Sequence, residues 1–143
     1  MENQKTPGRP KSPHRQFVDF FVATVERTRG FKPPINGPRD GATLKRLLEH
    51  KGVSLDMLEK LALYFLASHR FEKVSPTISV FLSAGILTSL WNTMLNNPQF
   101  WKELDGYASA HMGKPSTVDR SEFKGQLEEL RNLRAGLSKS FSA

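Results

Sequence analysis

The sequence contains no cysteine among its 143 residues and no long apolar run. The first absence excludes disulfide bonds, thiolate metal sites and a cysteine nucleophile, and it is typical of a reducing compartment. The longest apolar-leaning stretch, residues 78–91, is interrupted by serine, threonine and glycine, so it is too short and too polar to span a bilayer. The first residues lack the apolar segment of a secretory signal. We therefore expect a cytoplasmic protein with no membrane partner.

Signals of catalysis are also scarce. The four histidines lie far apart in the sequence and show no paired ligand spacing on any predicted helix. No glycine-rich phosphate loop follows a predicted strand. The acidic residues between positions 40 and 59 have the positions of helix caps and solvated partners, not of a carboxylate pair suited to acid–base work. We expect no enzyme, no metal and no cofactor.

The apolar residues recur at helical spacing, and few residues have a strong preference for β-structure. The pattern predicts an all-α protein with a compact helical bundle over residues 14–112. Residues 113–118 are expected to form a linker, and residues 119–143 to carry a separate C-terminal helix that either closes the bundle or pairs with a second copy. Residues 1–13 contain three prolines and almost no apolar side chains, which predicts a disordered basic arm.

Glycines and capping residues indicate where individual helices end. Gly30 is expected to end a first, strongly aromatic helix. Asp40 is expected to cap a second helix that runs to His50. A further helical pattern begins at residue 77, and we expect Gly85 to kink or split it.

Residues 44–66 have the layout of a helix-turn-helix. Gly52 is expected to supply a left-handed turn between two short helices, and Ser54 to cap the second of them. The second helix carries Asp56 and Glu59, which are unfavourable beside phosphates. An ordinary helical hairpin within a bundle is the alternative, and the sequence leaves both open.

The net charge of +7 is concentrated in the first third of the chain. Residues 1–51 contain eleven Lys and Arg against five Asp and Glu, whereas residues 52–143 contain ten against nine. This asymmetry favours a polyanionic partner, most simply nucleic acid and more readily DNA than RNA. An anionic surface, an acidic protein or a merely solubilising basic end are the alternatives. The candidate nucleic-acid-binding residues are the cations of this region: Lys5, Arg9, Lys11, Arg15, Arg27, Arg29, Lys32, Arg39, Lys45, Arg46 and Lys51.

Within the arm, residues 7–11 read Pro-Gly-Arg-Pro-Lys and resemble the AT-hook. In that motif the extended backbone lies in a narrow A·T minor groove, whose negative potential attracts arginine. Pro7 stands where the motif normally has a basic residue. Nonspecific phosphate contact by the arm is the alternative interpretation.

Two further expectations concern side chains outside the arm. Lys45 and Arg46 avoid the apolar face of their helix and are expected to contact phosphate. Arg131 and Arg134 are expected to be neutralised by the nearby Glu128 and Glu129. The aromatic side chains at positions 91, 100 and 101 are suited to base stacking, but their helical spacing is more typical of core residues.

A further indication comes from the order of four segments between residues 15 and 95. These are FVDFF at 17–21, RGFKPPINGPRDGATLKRLL at 29–48, LALYFLAS at 61–68 and PTISVFLS at 76–83. Together they resemble a small helical module of bacteriophage and prophage replication or DNA-binding proteins. The resemblance implies a role near DNA replication or its control, and it supplies no catalytic residue.

The sequence as a whole therefore predicts a noncatalytic nucleic-acid-binding accessory protein. The alternative is a protein–protein adaptor, loader or inhibitor that acts on a replication, transcription or defence enzyme. The two differ in their expected dependence on salt, because phosphate contacts weaken steeply as salt rises. The sequence predicts no particular oligomeric state.

Overall fold

The computed structural model describes residues 12–35, 37–50, 52–113 and 119–142. In these residues the chain is all-α, as the sequence predicts, with a short 3₁₀ helix at His69–Phe71. The arm predicted at residues 1–13 lies almost entirely outside them, as does most of the predicted linker. The seven α-helices of the described chain are α1 (Pro13–Arg29), α2 (Gly37–Leu48), α3 (Leu55–Ala67), α4 (Ile78–Phe81), α5 (Ala84–Asn96), α6 (Phe100–Met112) and α7 (Arg120–Ser142).

Two of the predicted helix boundaries are confirmed by their capping geometry. Gly30 follows α1 with a φ of 84°, and its amide donates to the carbonyl of Glu26. This left-handed conformation is available to glycine without a steric penalty. Ser54 precedes α3, and its side chain accepts a hydrogen bond from the amide of Met57.

Two boundary predictions are wrong. The second helix begins at Gly37 and not at Asp40, since Pro38 supplies the fixed φ that suits a first helical turn. Asp40 lies within that turn, where its charge still favours the helix dipole. Gly52 does not have a positive φ. A Cβ atom at Gly52 would lie 2.6 Å from the Cγ atom of Glu129, so the residue leaves room for α7 instead.

The predicted split near Gly85 is real but lies two residues earlier. Helix α4 ends at Phe81, and Ser83 caps α5 by accepting a hydrogen bond from the amide of Ile86. Gly85 itself lies inside α5. The capping hydroxyl therefore determines the break, because it satisfies an amide that the interrupted helix leaves unpaired.

Helix α3 occupies the centre of the bundle. It packs against α1, α6, α7 and the 3₁₀ helix, whereas α2 packs chiefly on α1. The rings of Phe17 and Phe21 in α1 lie 6.1 Å from that of Phe81, which in turn lies 5.4 Å from the ring of Phe65 in α3. These fully buried aromatic side chains form the contact between the first helix and the centre.

The C-terminal helix is not separate from the bundle. Phe123, Leu127 and Leu130 of α7 are buried in the same core as the earlier helices. The Oε1 atom of Gln126 accepts a hydrogen bond from the amide of Ser54 at 2.9 Å. Helix α7 therefore closes the bundle, which was one of the two alternatives left open by its sequence.

The aromatic side chains singled out in the sequence, Trp91 in α5 and Phe100 and Trp101 at the start of α6, belong mainly to this core. Phe100 is fully buried and meets Trp101 edge to face at 5.0 Å. Trp101 also meets Phe123 edge to face at 5.4 Å. Their helical spacing thus indicates packing, and Phe100 is unavailable for base stacking. No helix in the described part of the chain has the length and hydrophobicity to cross a membrane.

Replacement of Phe65 by alanine is predicted to lower the free energy of unfolding by about 3–5 kcal/mol, because it leaves a cavity where three phenyl rings meet. Urea denaturation at equilibrium measures this change. Leu95→Ala is the matched control, since Leu95 is 48% exposed on α5, and it should change stability by less than about 0.5 kcal/mol. Equal losses from the two substitutions would contradict the position of α3 at the centre.

Candidate nucleic-acid interface

The structure describes seven of the eleven predicted binding residues. Lys5, Arg9, Lys11 and Lys51 lie outside the described residues, and so does the AT-hook-like segment. The other seven lie on α1, on α2 or on the segment between these two helices. The described part of the candidate interface therefore lies on α1, on α2 and on the elements packed beside them.

Helix α3 cannot act as a recognition helix. Nine of its 13 residues are buried, and Asp56 is the residue it leaves exposed. A recognition helix places a row of exposed side chains against base edges in the major groove. The alternative of ordinary helices within a bundle is therefore correct, and the α2–α3 segment offers no helix-turn-helix reader.

The acidic side chains of α3 have a local structural role. The ammonium group of Lys60, whose side chain is only 6% exposed, pairs with the carboxylate of Asp56 one turn earlier. Burial and the neighbouring charge of Asp56 raise the pKa of Glu59 from 4.5 to about 6, although Lys60 opposes that change. Ionisation of Glu59 therefore costs more free energy in the folded state than in the unfolded chain.

This cost predicts how stability depends on pH. The folded-state pKa of Glu59 exceeds its unfolded value, so the folded chain holds more protons in the interval between them. The contribution of protonated Glu59 to folding stability is complete below about pH 4.5 and is lost as the pH rises through about 6. Glu59→Gln should therefore stabilise the protein relative to wild type more at about pH 7.5 than at about pH 4, as measured by urea denaturation. The same difference at both pH values would contradict the assignment.

Arg29 contributes to the fold through its guanidinium group. This group donates hydrogen bonds to four backbone carbonyl oxygens, at distances between 3.1 and 3.4 Å. The acceptors belong to Leu66, Phe71, Glu72 and Val74, so the arginine links the end of α1 to the last turn of α3 and to the segment that follows it. Arg29 is therefore not part of the candidate interface.

The remaining described cations are spread over α1, α2 and the segment between them. Arg27 lies near the C-terminal end of α1, and Lys32 and Arg39 are exposed in and after the segment that follows it. Arg15 lies in the first turn of α1, about 18 Å from Arg27 at the usual rise of a helix. This separation exceeds the screening length at physiological salt. Arg15 and Arg27 therefore act as parts of distinct surfaces.

The start of α1 lies beside α2. Ser12, Pro13 and His14 line a shallow pocket together with Lys45, Leu48 and Glu49. The point at which the basic arm joins the bundle is therefore adjacent to Lys45. We call the surface formed by Arg15, Lys45, Arg46 and Arg134 the basic face.

Arg134 joins this face through the docking of α7. Its Nε atom donates to the carbonyl of Leu82 at 2.9 Å, which fixes the guanidinium group. Burial and the nearby charge of Arg46 lower the pKa of Arg134. The two arginines, distant in sequence, thus lie close together in the fold.

The expected neutralisation of Arg131 and Arg134 by acidic neighbours on α7 is wrong. The carboxylate of Glu129 instead lies 3.5 Å from the ring nitrogen Nδ1 of His50. The guanidinium of Arg131 lies over the ring of Trp91 at 4.9 Å. Among the described residues, neither arginine forms an ion pair. The sequence missed Arg134 because only the packing of α7 reveals its neighbour.

A cavity of about 120 Å³ opens within the basic face, between α2 and α7. Its lining is mostly apolar, with the side chains of Leu47 and Leu133 beside those of the two arginines. Thr43 and His50 complete the lining, and no carboxylate takes part in it among the described residues. The cavity thus combines apolar and cationic side chains in one lining.

A second, more open cleft of about 530 Å³ lies near the C-terminal end of α1. It contains Arg27, Tyr107 and His111, and burial and the charge of Arg27 lower the pKa of His111. Nearby, the hydroxyl of Tyr64 donates to Glu103 at 2.6 Å and joins α3 to α6. In the described residues no cluster of side chains is suited to hold a metal ion.

Comparison with known proteins gives no match, since no family model, curated protein or solved structure is significantly similar to this chain.

Proposed function

We propose that this protein binds nucleic acid, and DNA in particular, without catalysing a reaction on it. The observation that carries the proposal is the basic face. Arg15, Lys45 and Arg46 are exposed on two adjoining helices, and α7 adds Arg134 beside them. Positive charge that is concentrated in this way attracts phosphate groups and steers a polyanion toward one surface.

The position of the arm supports the same proposal. Residues 1–11 carry Lys5, Arg9 and Lys11, and the chain enters the bundle beside Lys45. A strand of DNA that contacts the basic face is therefore within reach of the basic arm. The resemblance to phage replication modules is consistent with a role near DNA replication or its control, and that role is part of the proposal.

Few acidic side chains oppose this surface. Arg15 lies 3.5 Å from Asp19, but the two side chains are 68% and 42% exposed, so solvent weakens the pair and phosphate competes with it. Lys45, Arg46 and Arg134 form no ion pair with a carboxylate among the described residues. Glu49 lines the shallow pocket beside Lys45 and reduces the positive potential there, whereas the cavity lined by Arg46 and Arg134 contains no carboxylate among the described residues.

The proposal predicts that reversing Lys45 and Arg46 to glutamate weakens binding of a DNA oligonucleotide by at least about tenfold at low salt. Each lost phosphate contact should also flatten the dependence of log K on log salt by about one unit. Titrations at two salt concentrations, followed by fluorescence anisotropy, measure both effects.

The control reverses Lys73 and Lys102, which are exposed away from the basic face and change the net charge equally. Lys73 lies beside the C-terminal end of α1, and Lys102 lies in the first turn of α6. This variant should bind nearly as well as wild type. Equal losses would mean that only total charge matters, and absence of binding at low salt would contradict the function and favour the adaptor alternative.

A further inference from the structure

The cavity between α2 and α7 holds two arginines in an arrangement that is unfavourable by itself. Arg46 and Arg134 repel each other, and burial removes part of the water that would screen them. The hydrogen bond to the Leu82 carbonyl uses one of the five donors of Arg134 and holds the side chain in place. An anion placed between the two guanidinium groups would relieve the repulsion and satisfy their open donors.

The apolar part of the cavity favours a ligand that has an apolar surface as well as an anionic group. Leu47 and Leu133 contribute to its apolar lining, and a free inorganic anion gains nothing from such a surface. The volume of about 120 Å³ is close to that of an engineered protein cavity, about 150 Å³, that accepts benzene. The cavity therefore fits one flat, six-membered ring attached to an anionic group.

A pyrimidine nucleotide has this chemistry, with one ring and an adjacent phosphate. In a duplex the ring is stacked and paired, so it is not free to enter a pocket unless the duplex is opened. In a single strand the ring is available at little cost. We propose that the cavity is a binding site for one unstacked pyrimidine base of single-stranded DNA, whose phosphate lies between Arg46 and Arg134.

This proposal rests on the proposed function and names the form of DNA that the basic face prefers. It gives separate roles to two parts of the same surface. Lys45 and Arg15 attract any phosphate backbone, whereas the cavity selects a strand whose bases are free. The cavity also distinguishes DNA from an acidic peptide, because only the nucleic-acid strand repeats a ring and a phosphate at short, regular intervals.

The experiment compares three labelled probes of equal length on the full chain: oligothymidylate, a duplex of mixed sequence, and a strand in which abasic sites replace the central bases. The abasic strand keeps every phosphate and removes the rings. Oligothymidylate should bind about tenfold more tightly than either of the other two. Equal affinity for oligothymidylate and the abasic strand would overturn the proposal and leave the proposed function standing.

Two variants test whether the preference for oligothymidylate comes from the cavity. Arg134→Gln should reduce the affinity for oligothymidylate by about tenfold, in line with the loss of a charged phosphate contact, and should reduce the duplex affinity by a smaller factor, because Arg134 also belongs to the basic face. Because this change also removes the bond to Leu82, Thr43→Phe provides an independent variant, which fills the cavity and keeps both arginines. It should remove the preference for the single strand.

The outcomes separate the two proposals. If none of the probes binds wild-type protein at low salt, the proposed function itself fails. If all bind but Thr43→Phe, shown to be folded by its circular dichroism, keeps the full preference for oligothymidylate, the cavity is not the site. Binding of a polyglutamate peptide as tightly as oligothymidylate would also overturn the proposal, since it would show a general anion surface.

Discussion

The arrangement of the bundle depends on the need to bury α3. Nine of the 13 residues in this helix are buried, including Tyr64 and Phe65, so it requires neighbours on several sides. Helix α1 supplies one cover, with Phe81 of α4 between its phenylalanines and Phe65, α6 supplies another, and α7 adds a third. Burial of apolar surface on this scale is the main term that offsets the conformational entropy lost on folding.

The candidate interface follows from the way in which this burial is completed. Helix α7 docks with Gln126 on Ser54 and with Glu129 against Gly52, which fixes its register along the turn before α3. Continued by about one turn, the same register places Leu133 and Arg134 beside α2. Glu129 pairs with His50 at the edge of this cavity but is not part of its lining. The basic face is thus a consequence of closing the core.

Much of the fold was predictable from the sequence because it depends on local signals. The period of the apolar residues gave the all-α class, and the caps at Gly30 and Ser54 act within one helical turn. The signals that failed are those that depend on distant partners. Gly52 is small because Glu129 lies against it, and α3 is central because helices from both ends of the chain cover it. Arg134 was missed as a site residue for the same reason, whereas Lys45 and Arg46 follow directly from the helical period.

The central claim is that nucleic acid binds where α2 and α7 meet. Chemical-shift mapping by NMR tests it most directly, with isotope-labelled protein titrated with oligothymidylate at low salt. The account predicts that the largest changes fall on the amides of residues 43–50 and 131–134, with small changes in α6. Changes concentrated instead around Arg27 and His111, or a spectrum unaltered by the strand, would contradict it.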